Sequence, residues 1–413
     1  MSAAATTVAT PRHGLQRGEF VAMMSMLMAT IAISIDTLLP AFDEIEAQFD
    51  LDPADSPISL TITVFFVAMG VSTLVWGPLA DRFGRKPVMY AALGLIIVGA
   101  LVSTFATSFE VLLAGRVFWG AAAAGPRTVI LAIVRDSYEG DVMARIMSLV
   151  TAVFLIVPIL APGLGELLLL VGSWRLTTGA AAVLAGIGAI WFSRLNETLA
   201  PQSVLPLEFG RIGRAAKTVA SNRQTMLFTL ATTLGYGAFF PWLGSSPQLI
   251  GTIYGRPLAL FFGLNAALMA LTIAASSKAV ARFGTRPVLL TMMTISVVTA
   301  AVYVAVALAA GGVPPFWLWF ALVTVLTATN SSSTPLLQTL SMAPMGAIAG
   351  TASSVTGAMI FIVGGVLGSI IDGFISTTVT AFGVGFLVFI GVGLLAVMAG
   401  QPARVEGEVE AAT

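Results

Sequence analysis

The feature that most constrains this chain is a series of twelve long apolar runs. They lie near residues 20–40, 58–78, 87–107, 111–132, 146–171 and 174–193. After a polar stretch they resume near 225–249, 259–281, 287–310, 315–338, 347–371 and 375–399. A helix crossing the hydrocarbon layer of a bilayer, roughly 30 Å thick, needs about 20 mostly apolar residues. Each run meets that length, although Asn330-Ser-Ser-Ser-Thr-Pro335 interrupts the tenth. Only 10% of the chain is charged and 57% is hydrophobic, whereas soluble domains carry about 25% charged residues. The bilayer must therefore act as solvent for most of the surface. The expectation is an all-α membrane protein with twelve transmembrane helices in two groups of six.

Residues 1–19 are polar, and no small-residue cleavage site follows the first apolar run, so that run reads as a retained helix rather than a removed signal. The expected division is an N-terminal tail (1–19), a six-helix bundle (20–193), a linker (194–224), a second bundle (225–399) and a C-terminal tail (400–413). The linker is basic and contains Pro201 and Pro206, so it reads as a cytoplasmic tether between the bundles.

Lysine and arginine in short loops stay on the cytoplasmic side. With both termini inside, sixteen basic residues fall in inner segments and only Arg175 and Arg256 in outer loops. The remaining two, Arg116 and Arg127, lie within the fourth span. The loop after the first span holds Asp43, Glu44, Glu46, Asp50, Asp52 and Asp55 without a basic residue, which fits the outer face.

Two stretches read almost alike. Gly77–Val88 is GPLADRFGRKPV and Ser277–Val288 is SKAVARFGTRPV, at an offset of 200 residues. Each joins the second and third span of its group. An offset of six spans preserves topology, so the halves are parallel repeats. Two such halves about an axis along the membrane normal form one architecture of secondary transporters, with the substrate site near midplane between them.

These residues resemble the major facilitator superfamily. Gly77, Asp81, Arg82, Gly84 and Arg85 look like its signature loop between the second and third helices. Further motifs resemble the drug:proton antiporters of the bicyclomycin/chloramphenicol-resistance type. They are Asp36-Thr-Leu-Leu-Pro40 in the first span, Arg116-Val-Phe-Trp-Gly120 in the fourth, and the Arg135-Asp136 pair. Pro158, Pro162, Gly163 and Gly165 look like the antiporter motif of the fifth span, and Gly350-Thr-Ala-Ser-Ser resembles the opening of the eleventh. The chain departs from the pattern at Glu166, where a glycine is common, and at Thr37 and Leu38, where an aromatic or methionine-rich stretch is usual. The resemblance implies the major facilitator fold in a bacterial inner membrane, working as a monomer. It also implies that Asp81 lies near the start of the eleventh helix and that Arg85 pairs with Asp136. Together they would clamp the cytoplasmic side shut. Ala281 stands where the first copy has Asp81, so the second copy would be a topological anchor only.

Ionisable groups inside a bilayer are costly and so are functional candidates. Asp36, late in the first span, is the candidate for gaining and losing a proton. Arg116, at similar depth, keeps its charge in practice. It needs either a counter-charge such as Asp36 or a frame of backbone carbonyls. Glu166 is either a second proton- or cation-binding carboxylate or a residue of the exterior mouth. Arg127, beside Pro126, is placed to snorkel to the inner surface. Asp372 reads as a solvated residue at the outer end of the eleventh span. Candidates for a mainly apolar substrate cavity are Tyr236, Phe239, Phe240, Trp242, Gln248, Asn265, Asn330 and Gln338.

The implied function is proton-coupled efflux of small apolar or amphipathic drugs by alternating access. One proton entering through 100 mV and one pH unit supplies roughly 3–4 kcal/mol, enough for a concentration ratio of several hundred. A facilitator-fold transporter of a sugar or organic acid is the alternative. The chain has no cysteine, a single histidine (His13, in the tail) and no Gly-x-x-x-x-Gly-Lys-Ser/Thr loop. No metal site, cofactor, ATP drive or enzyme activity is therefore expected, and zero net charge suggests no nucleic-acid partner.

Overall fold

The structure, a computed structural model, describes residues 14–52, 58–204, 206, 209–375 and 377–400. His13, Arg12, Arg404 and most of both tails lie outside the described residues. Fourteen helices follow in order among them. The first half holds α1 (Arg17–Asp36), α2 (Phe42–Phe49), α3 (Leu60–Phe83), α4 (Arg85–Thr104), α5 (Phe109–Ser137), α6 (Gly140–Val171) and α7 (Arg175–Phe192). Next come α8 (Phe209–Ser221), α9 (Arg223–Ser246), α10 (Leu258–Phe283), α11 (Thr285–Ala309), α12 (Phe316–Met342), α13 (Ala349–Asp372) and α14 (Thr380–Ala399). Apart from α2 and α8, these are the twelve expected spans.

Ten helical segments among the described residues are long and apolar enough to cross a membrane. Of the other two, α6 supplies a shorter apolar run, Ile156–Val171, and α12 is diluted by its Asn330–Pro335 stretch. That stretch stays helical, with several of its hydroxyls satisfied along the helix, although Ser332 Oγ is buried without a partner among the described residues. The hydroxyls of Thr329, Ser333 and Thr334 donate one turn back to carbonyls of Val325, Thr329 and Asn330, a pattern membrane helices use to hold polar residues. The outward surface is apolar: Leu170, Val171 and Ile190 are each more than 70% exposed, which suits lipid and not water.

The two related turns have one backbone geometry. Gly84 (φ +99°) and Gly284 (φ +84°) each separate a helix ending in phenylalanine from one starting at the next residue. A side chain is disfavoured at such φ, so the glycine of Arg-Phe-Gly is required in both copies. What caps the turn differs. Glu197, after α7, accepts from the amides of Arg85 (3.0 Å) and Lys86 (2.9 Å). In the second copy Arg286 donates to the carbonyl of Gly400 after α14, at 2.9 Å.

The halves meet along two seams. In each, the second long helix of one half packs against the fifth of the other: α3 on α13 and α10 on α6. This exchange is what a two-fold relation between parallel repeats produces. Glycine permits both contacts. A Cβ on Gly70 would come within 2.8 Å of Ile362, and one on Gly263 within 2.8 Å of the Ile159 carbonyl.

Two segments expected as loops are helical. The acidic stretch after α1 forms α2, whose Glu44 carboxylate accepts from the Trp174 amide at the start of α7, at 3.1 Å. There it meets the positive end of the helix dipole. The expected tether contains α8, which buries Ala215 and Val219 with Met345, Ala352 and Val355. Its amphipathic sequence docks it on the base of the second half.

Candidate functional site

One end of the molecule carries the turns of Arg85 and Arg286, and the other carries acidic α2. These are called the basic and acidic ends. A cavity of about 930 Å³ lies toward the basic end between the two halves, lined by α3 and α5 of the first and by α8, α12 and α13 beyond it. Its wall runs from Asp81, Arg85 and Arg135, and from α8, up to Met69, Ile360 and Phe361. Phe361 belongs to an aromatic layer that closes the cavity toward the acidic end. Phe66 of α3 stacks on Phe240 of α9, with centroids 4.2 Å apart, and on Phe361 at 6.0 Å. Tyr236 packs edge-on against Phe240 and Phe361.

At the basic end, Arg85 is only 4% exposed and bridges two carboxylates. It donates to Asp81 at 2.6 Å and to Asp136 at 2.8 Å. Arg82 is exposed, and Gly77 faces Ser354 of α13. Among the described residues no hydrogen bond joins Asp81 to the first turn of α13. Instead Asp81 and Gly350 both line the cavity. The expected clamp is thus assembled within the first half, but does not engage the second.

At the acidic end, Asp36 is the last residue of α1 and is 4% exposed. The antiporter-motif glycines seat it there. A Cβ on Gly165 would meet the Thr37 carbonyl at 2.5 Å, so only glycine lets α6 approach this turn. Gly163 faces Ala259 of α10, while Pro158 and Pro162 lie inside a continuous α6.

Arg116 does not pair with Asp36. It is fully buried, donating to the carbonyls of Ser34 (2.7 Å) and Thr61 (3.1 Å), with its guanidinium over the rings of Phe65 and Trp119. One nitrogen, Nη2, has no partner among the described residues. Of the two expected surroundings, the carbonyl frame is the one present. It locks α1, α3 and α5 together, because a buried guanidinium must place its donors on whatever acceptors are near.

Glu166 is half-buried and accepts from the amide of Ala259 at 3.0 Å, in the first turn of α10. Asp372 is a correction. It is 6% exposed rather than solvated, because α13 ends inside the α3–α9–α13 junction. Ser245 of α9 donates to its carboxylate at 2.5 Å and Ser59, at the start of α3, also hydrogen-bonds it. Both carboxylates therefore join the two halves at the acidic end. Sequence reasoning missed this because the partners are a backbone amide and two serines, which carry no motif.

Arg127 is a second correction. Instead of snorkelling to the surface, it is exposed to the cavity. Of the eight expected cavity residues, only Gln338 lies on the wall. Tyr236 and Phe240 belong to the aromatic layer, and Phe239 packs against the core. Trp242 stacks on Phe262. Asn265 donates to Thr327 at 3.0 Å, and Asn330 to the Gly235 carbonyl at 3.1 Å. Gln248 sits on the π-helical turn after α9. These polar groups are taken up by helix packing, so they do not face the cavity.

The sequence matches the Major Facilitator Superfamily over residues 20–369. It is 27% identical over 364 residues to the bicyclomycin resistance protein homolog of Haemophilus influenzae, covering 85% of this chain and 88% of that protein. It is 29% identical over 224 residues to the multidrug resistance protein MdtL of Salmonella paratyphi B, covering 54% and 55%. The structure resembles that of a D-xylose-proton symporter with a TM-score of 0.74 at 12% identity, over 92% of this chain and 96% of that one. Among the described residues, twelve long helices, two glycine-lined seams and a cavity between the halves agree with these similarities, and the chain belongs to the major facilitator superfamily.

Proposed function

We propose that this transporter is a proton-coupled exporter of small amphipathic drugs, working as a monomer with the basic end and both termini in the bacterial cytoplasm. The observation that carries the proposal is Asp36. It is a buried carboxylate at the end of α1, and among the described residues no lysine or arginine lies within ion-pair distance. A carboxylate so placed gains and loses a proton as its surroundings open and close. Arg116 holds the surrounding helices and leaves Asp36 free to do so. The names of the relatives, bicyclomycin resistance and multidrug resistance, support a drug as substrate. Alternating access would break the acidic-end contacts of Glu166 and Asp372 while bringing Asp81 onto the start of α13.

The test is proton movement in liposomes holding the purified protein. On addition of a phenicol drug, the natural chain should exchange protons for drug. Asp36→Asn should lose that exchange while reaching the membrane in normal amount. Full gradient-driven export by Asp36→Asn would remove Asp36 from the proton path.

A further inference from the structure

We infer that the cavity recognises an organic anion, and that Arg127 binds its negative charge. The charged side chains on the wall are Asp81, Arg85, Arg127, Arg135 and Arg214. Asp81 is already committed to Arg85, which also holds Asp136. Arg127 and Arg135 are both exposed, and neither has a carboxylate within ion-pair distance among the described residues. At Arg127 and Arg135 the wall therefore carries positive charge that no carboxylate among the described residues neutralises by an ion pair.

The placement of Arg127 makes this specific. Ala124, Arg127, Thr128, Leu131 and Arg135 all line the cavity, a three-and-four spacing that is one face of α5. Arg127 stands ten residues before the end of α5 at Ser137, about 15 Å inside the helix. Close packing of Gly125 against Trp76 and Ala92 on the flank of this face sets the rotation of α5. Met69, Ile360 and Phe361 supply apolar wall in the same cavity.

An arginine keeps its charge and presents paired donors that match a carboxylate, sulfonate or phosphate. Arg135, eight residues nearer the basic end and about 12 Å away along the helix, would draw the same charge inward. The ligand class that fits is an amphipathic monoanion with its head on Arg127 and its apolar body against Phe361. A cation would be repelled there. This inference rests on the reading of the cavity as the substrate site, but not on the direction of transport or on proton coupling.

The test is equilibrium binding to the full-length protein in nanodiscs, with no gradient present. The probes are radiolabelled 1-naphthylacetate and 1-naphthylacetamide, which share shape and differ in charge. The natural chain should bind the acid at least about tenfold more tightly, as a hydrogen bond to a charged group predicts. Arg127→Gln should erase that preference by weakening the acid and leaving the amide within about twofold. Arg127→Lys should restore part of it. Thermal melting of the variants checks that they remain folded. Equal binding of the two probes, an unchanged preference in Arg127→Gln, or no binding of the acid at millimolar concentration would each overturn the inference. Full gradient-driven export by Asp36→Asn would overturn the proton-coupling reading and leave this result untouched, so the two readings fail separately.

Discussion

The carboxylate of Glu166 on α6 accepts a hydrogen bond from the amide of Ala259, 3.0 Å away in the first turn of α10. The contact spans the two halves. The first amides of a helix have no partner within it, so an acceptor from the other half both satisfies a donor and meets the positive end of the helix dipole.

Removing this acceptor should loosen the acidic end. Spin labels on Leu167→Cys and Leu260→Cys, both on exposed positions of α6 and α10, report the separation. Glu166→Ala should raise the population with the longer distance about fivefold, corresponding to the ~1 kcal/mol of a lost helix cap. Glu166→Gln keeps an acceptor oxygen and should shift the population less.

The second acidic-end contact predicts a graded series at Asp372. Asp372→Asn retains an acceptor for Ser245 and Ser59, whereas Asp372→Ala leaves both hydroxyls buried without one. The alanine variant should lose about 1–3 kcal/mol of stability, the cost of stranding buried polar groups. The asparagine variant should lose clearly less. Melting in detergent ranks them, and equal loss would mean that the hydroxyl contacts do not matter.

The paired turns predict an asymmetry. Asp81→Asn weakens one of the two ion pairs of buried Arg85 and should slow drug turnover in everted vesicles. Arg85→Gln should be more damaging, because it removes both ion pairs at once and leaves two carboxylates without their cation. Asp81 is partly exposed, so its own variant should have the smaller effect. Ala281→Ser, at the matching position of the second copy, should leave turnover unchanged.

Much of the architecture was legible because it follows from local composition. Twelve apolar lengths, the basic loops and the Arg-Phe-Gly repeat are each read within a few consecutive residues. The site was legible in part. Asp36 and Arg116 stand out because charge in an apolar run is conspicuous, and Asp81, Arg85 and Asp136 because they sit in recognisable motifs. The cavity was not. Trp242, Asn265 and Asn330 have suitable chemistry, but helix rotation directs them into packing contacts. Arg127 was judged by its distance from the helix end, although its rotational position around α5 decides where it points.

Sequence alone determined that this chain spans a bilayer twelve times as two related halves, since a hydrocarbon solvent leaves the backbone little choice but helices. Only the tertiary structure decided which faces of those helices meet. It placed the frame around Arg116, the acidic-end contacts of Glu166 and Asp372, and the opening of Arg127 toward the cavity. The physical reason is that insertion depends on the summed polarity of each segment. Contacts between segments depend on rotation, register and the few ångströms that glycines such as Gly70, Gly165 and Gly263 allow.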